Sequence, residues 1–142
     1  MVELPSILVD SCVLLDIFND DPNWYKWSAD TLYNLSNDYQ FIINTIIFTE
    51  VAYNFDHAEA LEKALKELSI NIDNIPLPAA FNVSRVFRQY RQNKGDKKAP
   101  MPDFYIGEHA RYLSIPLITR DTARFKTYQP NVTLITPEES YP

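Results

Sequence analysis

Ile7-Leu8-Val9-Asp10-Ser11 is a short apolar run that ends on an acid, the pattern of a strand buried on both faces with a carboxylate at its carboxyl end. The punctuation recurs. Phe41-Ile42-Ile43-Asn44 is a second run, followed by a helical stretch that carries Glu50, and Pro116-Leu117-Ile118-Thr119 is another, followed by Arg120 and Asp121. Asp103 comes directly after Pro102, at the start of a helix. If these runs are adjacent parallel strands, Asp10, Glu50, Asp103 and Asp121 gather at one edge of the sheet, where sites form in open α/β folds.

The stretches between the runs read as helices. Ser11 is expected to cap a helix over Cys12 to Phe18, and Asn23 to Leu35 places Trp24, Trp27, Thr31 and Leu35 at helical spacing. Thr45 to Phe55 reads as helix. Asp56 is expected to cap the next one, in which Ala58, Leu61, Leu65 and Leu68 form a stripe. Ile70 to Ile75 alternates as an edge strand, and Pro76 and Pro78 lead into a helix with Val83, Val86, Phe87 and Tyr90 inward, ended by Gly95 in a basic loop. Pro102 suits the first turn of a helix whose inner face is Ile106, Ala110 and Leu113, and Val132 to Ile135 is the last strand. Strands alternating with helices, with almost no hairpin signal, predict an α/β protein with a mainly parallel central sheet of four or five strands flanked by helices.

With 142 residues, 46% of them hydrophobic, the chain suits one domain over 1–142. A net charge of −6 argues against a surface that grips nucleic acid everywhere. That argument weakens if the four acids surround a cation, since they then stop acting as free surface charge. Cys12 is the only cysteine, which excludes an intrachain disulfide and fits a reducing compartment. Met1-Val2-Glu3-Leu4-Pro5 has neither a basic region nor a long apolar stretch, so no signal peptide is expected, and no apolar run is long enough to span a bilayer. A cytoplasmic protein is expected.

Each acid also has a purely structural reading: Asp10 as a helix N-cap, Asp103 facing the helix dipole, Asp121 as an Asx-turn residue. Glu50 is harder to place that way, because helical spacing puts it beside Ile46, Ile47, Val51 and Asn54. Converging carboxylates about 5 Å apart repel by about 3 kcal/mol per pair at an effective dielectric of about 20. Protonation relieves this, and a hard divalent cation relieves it better, since Mg²⁺ takes oxygen ligands and Mn²⁺ suits the same donors.

Several blocks together resemble a known family. Ile7 to Ser11, Thr49-Glu50-Val51-Ala52, Pro102-Asp103-Phe104-Tyr105-Ile106-Gly107-Glu108-His109-Ala110, and Leu117 to Asp121 followed by Arg124-Phe125-Lys126-Thr127-Tyr128 resemble PIN-domain ribonucleases, specifically the toxin half of VapBC-type toxin–antitoxin pairs. The resemblance covers almost the whole chain. It implies a PIN-like fold, a homodimer, dependence on Mg²⁺ or Mn²⁺, cleavage of RNA to leave 5′-phosphate and 3′-hydroxyl ends, and silencing by a cognate VapB-like antitoxin. It further implies that Asp10 and Asp103 are the principal metal ligands, that Glu50 and Asp121 complete the cluster directly or through water, and that Ser11 and Thr119 orient it.

Around these acids, Arg120 and Arg124 are candidates for phosphate contact, the alternative being surface charge or an ion pair with a site acid. Arg88 and Arg91, within the basic segment from Arg85 to Lys98, are candidates for holding RNA, with Tyr90 as a stacking group; the alternative is a solvated helix face with Tyr90 buried. Cys12 reads as a small buried hydrophobe, and His57 and His109 as surface residues. Trp24, Trp27, Tyr25 and Tyr33 read as a helix packed on the sheet, or as a groove for an antitoxin helix. A haloacid-dehalogenase-type phosphatase needs a second Asp where Cys12 stands. An RNA-processing PIN nuclease without an antitoxin and a non-catalytic PIN-like binding module remain as alternatives.

Overall fold

The computed structural model describes residues 3–93 and 101–137. Ser6–Val9 forms β1, Gln40–Ile43 β2, Ile70–Ile72 β3, Leu117–Ile118 β4 and Leu134–Ile135 β5, all in one sheet of order β3-β2-β1-β4-β5 with every pairing parallel. The predicted runs are the strands. Ile7, Leu8, Val9, Ile43, Leu117 and Ile118 are wholly buried, which explains why they are continuous apolar runs and not alternating ones: helices cover both faces of the sheet.

The helices are Ser11–Phe18 (α1), Tyr25–Leu35 (α2), Thr45–Ala52 (α3), Ala58–Glu67 (α4), Leu77–Gln92 (α5), Met101–Leu113 (α6) and Ala123–Lys126 (α7). One apolar cluster fills the space around the sheet and includes Val13, Leu14, Trp27, Leu61, Leu65, Ile106 and Phe125. A second, built on Val83, Tyr90 and Phe104, joins α5 to α6. No helix among the described residues is long and apolar enough to cross a membrane.

The strand order fixes where a site can form. From β1 the chain builds outward through β2 and β3, then returns to the other side of β1 with β4. That reversal opens a crevice beyond the carboxyl ends of β1 and β4. Leu8 pairs with Leu117 and Val9 with Ile118, so the next residues in register, Asp10 and Thr119, stand side by side at its mouth.

Several helix ends differ from the sequence expectation. Asp10, not Ser11, caps α1: its backbone is extended and its Oδ1 accepts the Ser11 amide at 2.8 Å. His57, not Asp56, occupies the N-cap of α4 and offers no side-chain bond. Helix α3 stops at Ala52, after which Asn54 and Phe55 close tight turns onto Val51 and Ala52. Asp21 Oδ2 accepts the amides of Asn23 and Trp24, so α2 begins at Tyr25. Gly95 and the lysines of the basic loop lie outside the described residues.

Candidate metal and nucleic-acid site

Asp10 is fully buried and divides its carboxylate between two tasks. Oδ1 caps α1, while Oδ2 accepts the Thr119 hydroxyl at 2.7 Å and Nη2 of Arg124. Thr119 Oγ1 in turn accepts the Asp121 amide at 3.1 Å, so one buried hydroxyl aligns two of the acids. Asp103 enters from the first turn of α6, and its Oδ1 accepts Nη1 of Arg124 at 2.5 Å. Asp121 Oδ2 lies 3.1 Å from Arg124 Nε, out of line for a hydrogen bond but well placed for charge attraction.

Three of the four predicted acids therefore converge, and they converge on a guanidinium. Glu50 approaches from α3, facing Ser11, and its Oε1 is buried without a partner. As the side chains stand, no group of three or more Asp, Glu, His or Cys among the described residues is close enough to hold an ion; Arg124 occupies the middle.

The electrostatics show that one guanidinium is not enough. Burial raises the Asp103 pKa to about 6, against the pull of Arg124 and with the push of Asp10, Glu50 and Asp121. Burial also raises Glu50, with Ser11 and Arg124 opposing and Asp10 adding to the rise. For Arg124 burial works against the charge, yet Asp10, Asp103 and Asp121 outweigh it and the pKa goes up. A set of hard carboxylate oxygens with more negative charge than its resident cation neutralises, including one orphaned buried oxygen, fits the donor preferences of Mg²⁺ or Mn²⁺.

The other candidates separate clearly. Arg120 does not point at the acids: Nε and Nη2 grip the buried Asp16 at 2.7 and 2.9 Å, the guanidinium lies 5.0 Å from the Trp24 ring, and the bond to Asp16 raises its pKa. Asp16 also accepts from Ser28 at 2.7 Å. Sequence reasoning passed over Asp16, although an acid inside Val13-Leu14-Leu15-Asp16-Ile17-Phe18 signals a buried partner. Arg88 and Arg91 are exposed on α5, but Tyr90 is buried in edge-to-face contact with Phe104 and Tyr128 and is no stacking platform. Trp27 is core and Trp24 packs against it, while Tyr25 and Tyr33 are exposed beside a groove of about 780 Å³.

Cys12 is partly buried, 3.7 Å from both Asp10 Oδ2 and Thr119 Oγ1, and burial followed by the charge of Asp10 pushes its thiol up to about 11. That is the opposite of an activated nucleophile. His57 is exposed as expected, but His109 is wholly buried. Its Nδ1 meets the Asn44 side chain at 3.0 Å, which ties α6 to the start of α3 and explains an imidazole on an inward face.

The family model of the PIN domain matches residues 7–129. The chain belongs to the PIN domain family. The match takes in all four acids of this PIN domain. Among solved structures, it is similar to the Rickettsia felis VapBC2 complex bound to a promoter DNA fragment, at 18% identity and a TM-score of 0.72 over 94% of this chain and 99% of that one. A toxin–antitoxin complex from Klebsiella pneumoniae is 25% identical, with a TM-score of 0.68 over 94% and 98% of the two chains. VapBC-1 from nontypeable Haemophilus influenzae is 15% identical, with a TM-score of 0.71 over 92% and 97%. No curated protein matches this chain significantly in sequence.

Proposed function

We propose that this PIN domain is a Mg²⁺- or Mn²⁺-dependent endoribonuclease, the toxin of a type II toxin–antitoxin pair, cytoplasmic, homodimeric and silenced by a VapB-like antitoxin. The observation that carries the reading is the meeting of Asp10, Asp103 and Asp121 at one point of the switch crevice, with Glu50 Oε1 unpartnered beside them. The matched structures, being toxin–antitoxin complexes, support the toxin half of it.

In this reading Asp10 and Asp103 hold the ion, and Glu50 and Asp121 complete its surroundings directly or through water. A bound ion would supply a water of lowered pKa for attack on phosphorus and would stabilise charge on the leaving oxygen. Thr119 and Ser11 keep the carboxylates aimed. Arg124 and the cleft of about 500 Å³ lined by Ser11, Cys12, Leu15, Arg120, Asp121 and Thr122 supply the approach for an RNA phosphate. Arg120, being tied to Asp16, acts there chiefly as a fixed positive charge, and Arg88 and Arg91 extend the RNA contact along α5.

The test is RNA cleavage by protein freed of any partner, with Mn²⁺ or Mg²⁺, against the same assay with EDTA and with Asp10→Asn. Asn keeps the α1 cap but removes the charge and the acceptor that Thr119 and Arg124 use, so a thermal melt of the same variant separates lost chemistry from lost folding. Undiminished cutting by Asp10→Asn ends the nuclease assignment. Cleavage without any copurifying or neighbouring-gene antitoxin would instead favour an RNA-processing PIN nuclease.

A further inference from the structure

Arg124 stands where a cation would stand. Its fork reaches Asp103 Oδ1 through Nη1 and Asp10 Oδ2 through Nη2, with Nε beside Asp121 Oδ2. The three acids come from three places: the end of β1, the first turn of α6 and the loop before α7. A single side chain joins them. Asp10 Oδ2 has no acceptor site to spare, since it already takes Thr119 as well as Arg124, with the Cys12 thiol nearby, while Oδ1 takes the Ser11 amide. An ion cannot take that oxygen while the guanidinium holds it.

The guanidinium has somewhere to go. Its side chain is 27% exposed, it springs from the four-residue helix α7, and the cleft lined by Ser11, Cys12, Arg120 and Thr122 adjoins it. A phosphodiester is an acceptor that matches the fork as well as a carboxylate does.

We propose that Arg124 is a built-in counter-ion which a divalent cation must displace, so that metal loading and the turning of Arg124 toward the substrate cleft are one event. This rests on the metal-centre reading above. Metal-free protein then carries a partial counter-charge of its own, and a polyanion that offers Arg124 other oxygens promotes metal entry, as coupled binding requires.

Mn²⁺ binding to metal-free protein, followed by electron paramagnetic resonance, is compared among the unaltered chain, Arg124→Gln and Arg124→Lys. Arg124→Gln is expected to bind Mn²⁺ at least about fivefold more tightly, with Arg124→Lys between, because an ammonium keeps the charge but cannot bridge three carboxylates. In the unaltered chain the Nε–H resonance of Arg124 is expected to shift with Mg²⁺ in step with binding. An unmoved resonance, or an affinity in Arg124→Gln no tighter than in the unaltered chain, overturns the proposal. If Arg124→Gln does not fold, the resonance titration decides alone. Absence of Mn²⁺ binding in every protein overturns the metal centre with it, whereas Mn²⁺ binding that is lost in Asp103→Asn but leaves Arg124 unmoved removes only the displacement.

Discussion

Asn44 and His109 meet at 3.0 Å inside the protein and link the start of the helix bearing Glu50 to the helix bearing Asp103. Asn44 Oδ1 already accepts the Ile47 amide at 3.0 Å, so its NH₂ faces His109 and donates to Nδ1. The ring is then neutral with its proton on Nε2, a buried nitrogen with no partner.

His109 is therefore expected to remain in the Nε2–H form and to titrate below its ordinary 6.5, because burial outweighs the pull of Asp73. A depressed histidine favours the fold above its unfolded pKa and withdraws that support as pH falls through the folded one. Ring nitrogen shifts measured by NMR across pH 5 to 8 check this; an imidazolium signal at neutral pH would contradict it.

Asp103→Asn is expected to stabilise the metal-free protein at pH 8. The raised pKa of about 6, against an ordinary 3.8, means that the protonated form suits the fold and the ionised form does not. That support is full below the ordinary value and disappears as pH climbs past about 6. Asn escapes the loss, so its advantage, about 2 kcal/mol after allowing for residual solvent access, should vanish toward pH 4 in urea melts.

Gly107→Ala is expected to destabilise by about 1–3 kcal/mol. A Cβ there would lie 2.0 Å from Gln129 Oε1, and Gln129 is itself buried and bonded to the Phe104 carbonyl and to Glu108 at 2.9 Å. Adding Gln129→Ala should recover part of the loss on the Gly107→Ala background. Strict additivity of the two costs in denaturant titrations would show that the contact is not the cause.

Ser69→Gly is expected to raise stability by about 1 kcal/mol. Ser69 follows α4 at φ 57, and Asp20 and Ser114 sit in the same left-handed region. A midpoint shift in urea at unchanged slope is the readout.

The sheet and its acid-tipped strands were legible because burial on both faces forces unbroken runs such as Ile7-Leu8-Val9, and few other structures tolerate them. The convergence of Asp10 and Asp121 followed from the strand ends, and that of Asp103 from the start of its helix. What neutralises them was less legible: an ion pair of Arg124 with a single site acid was among the readings, but a fork joining three of them depends on α7 folding back over the crevice. His109 was read as exposed because its partner lies 65 residues away in sequence. Arg120 was read as a candidate for phosphate contact because its partner Asp16, 104 residues distant, was passed over. Cap positions shifted by one residue because the last residue with extended backbone, not the best capping side chain, sets where a helix begins.

The hydrogen bond between Thr119 and Asp10 spans 109 residues. The crevice can therefore close around Asp10 only after Thr119 has left the ribosome, so its acids stay unassembled for as long as the residues between them take to be made.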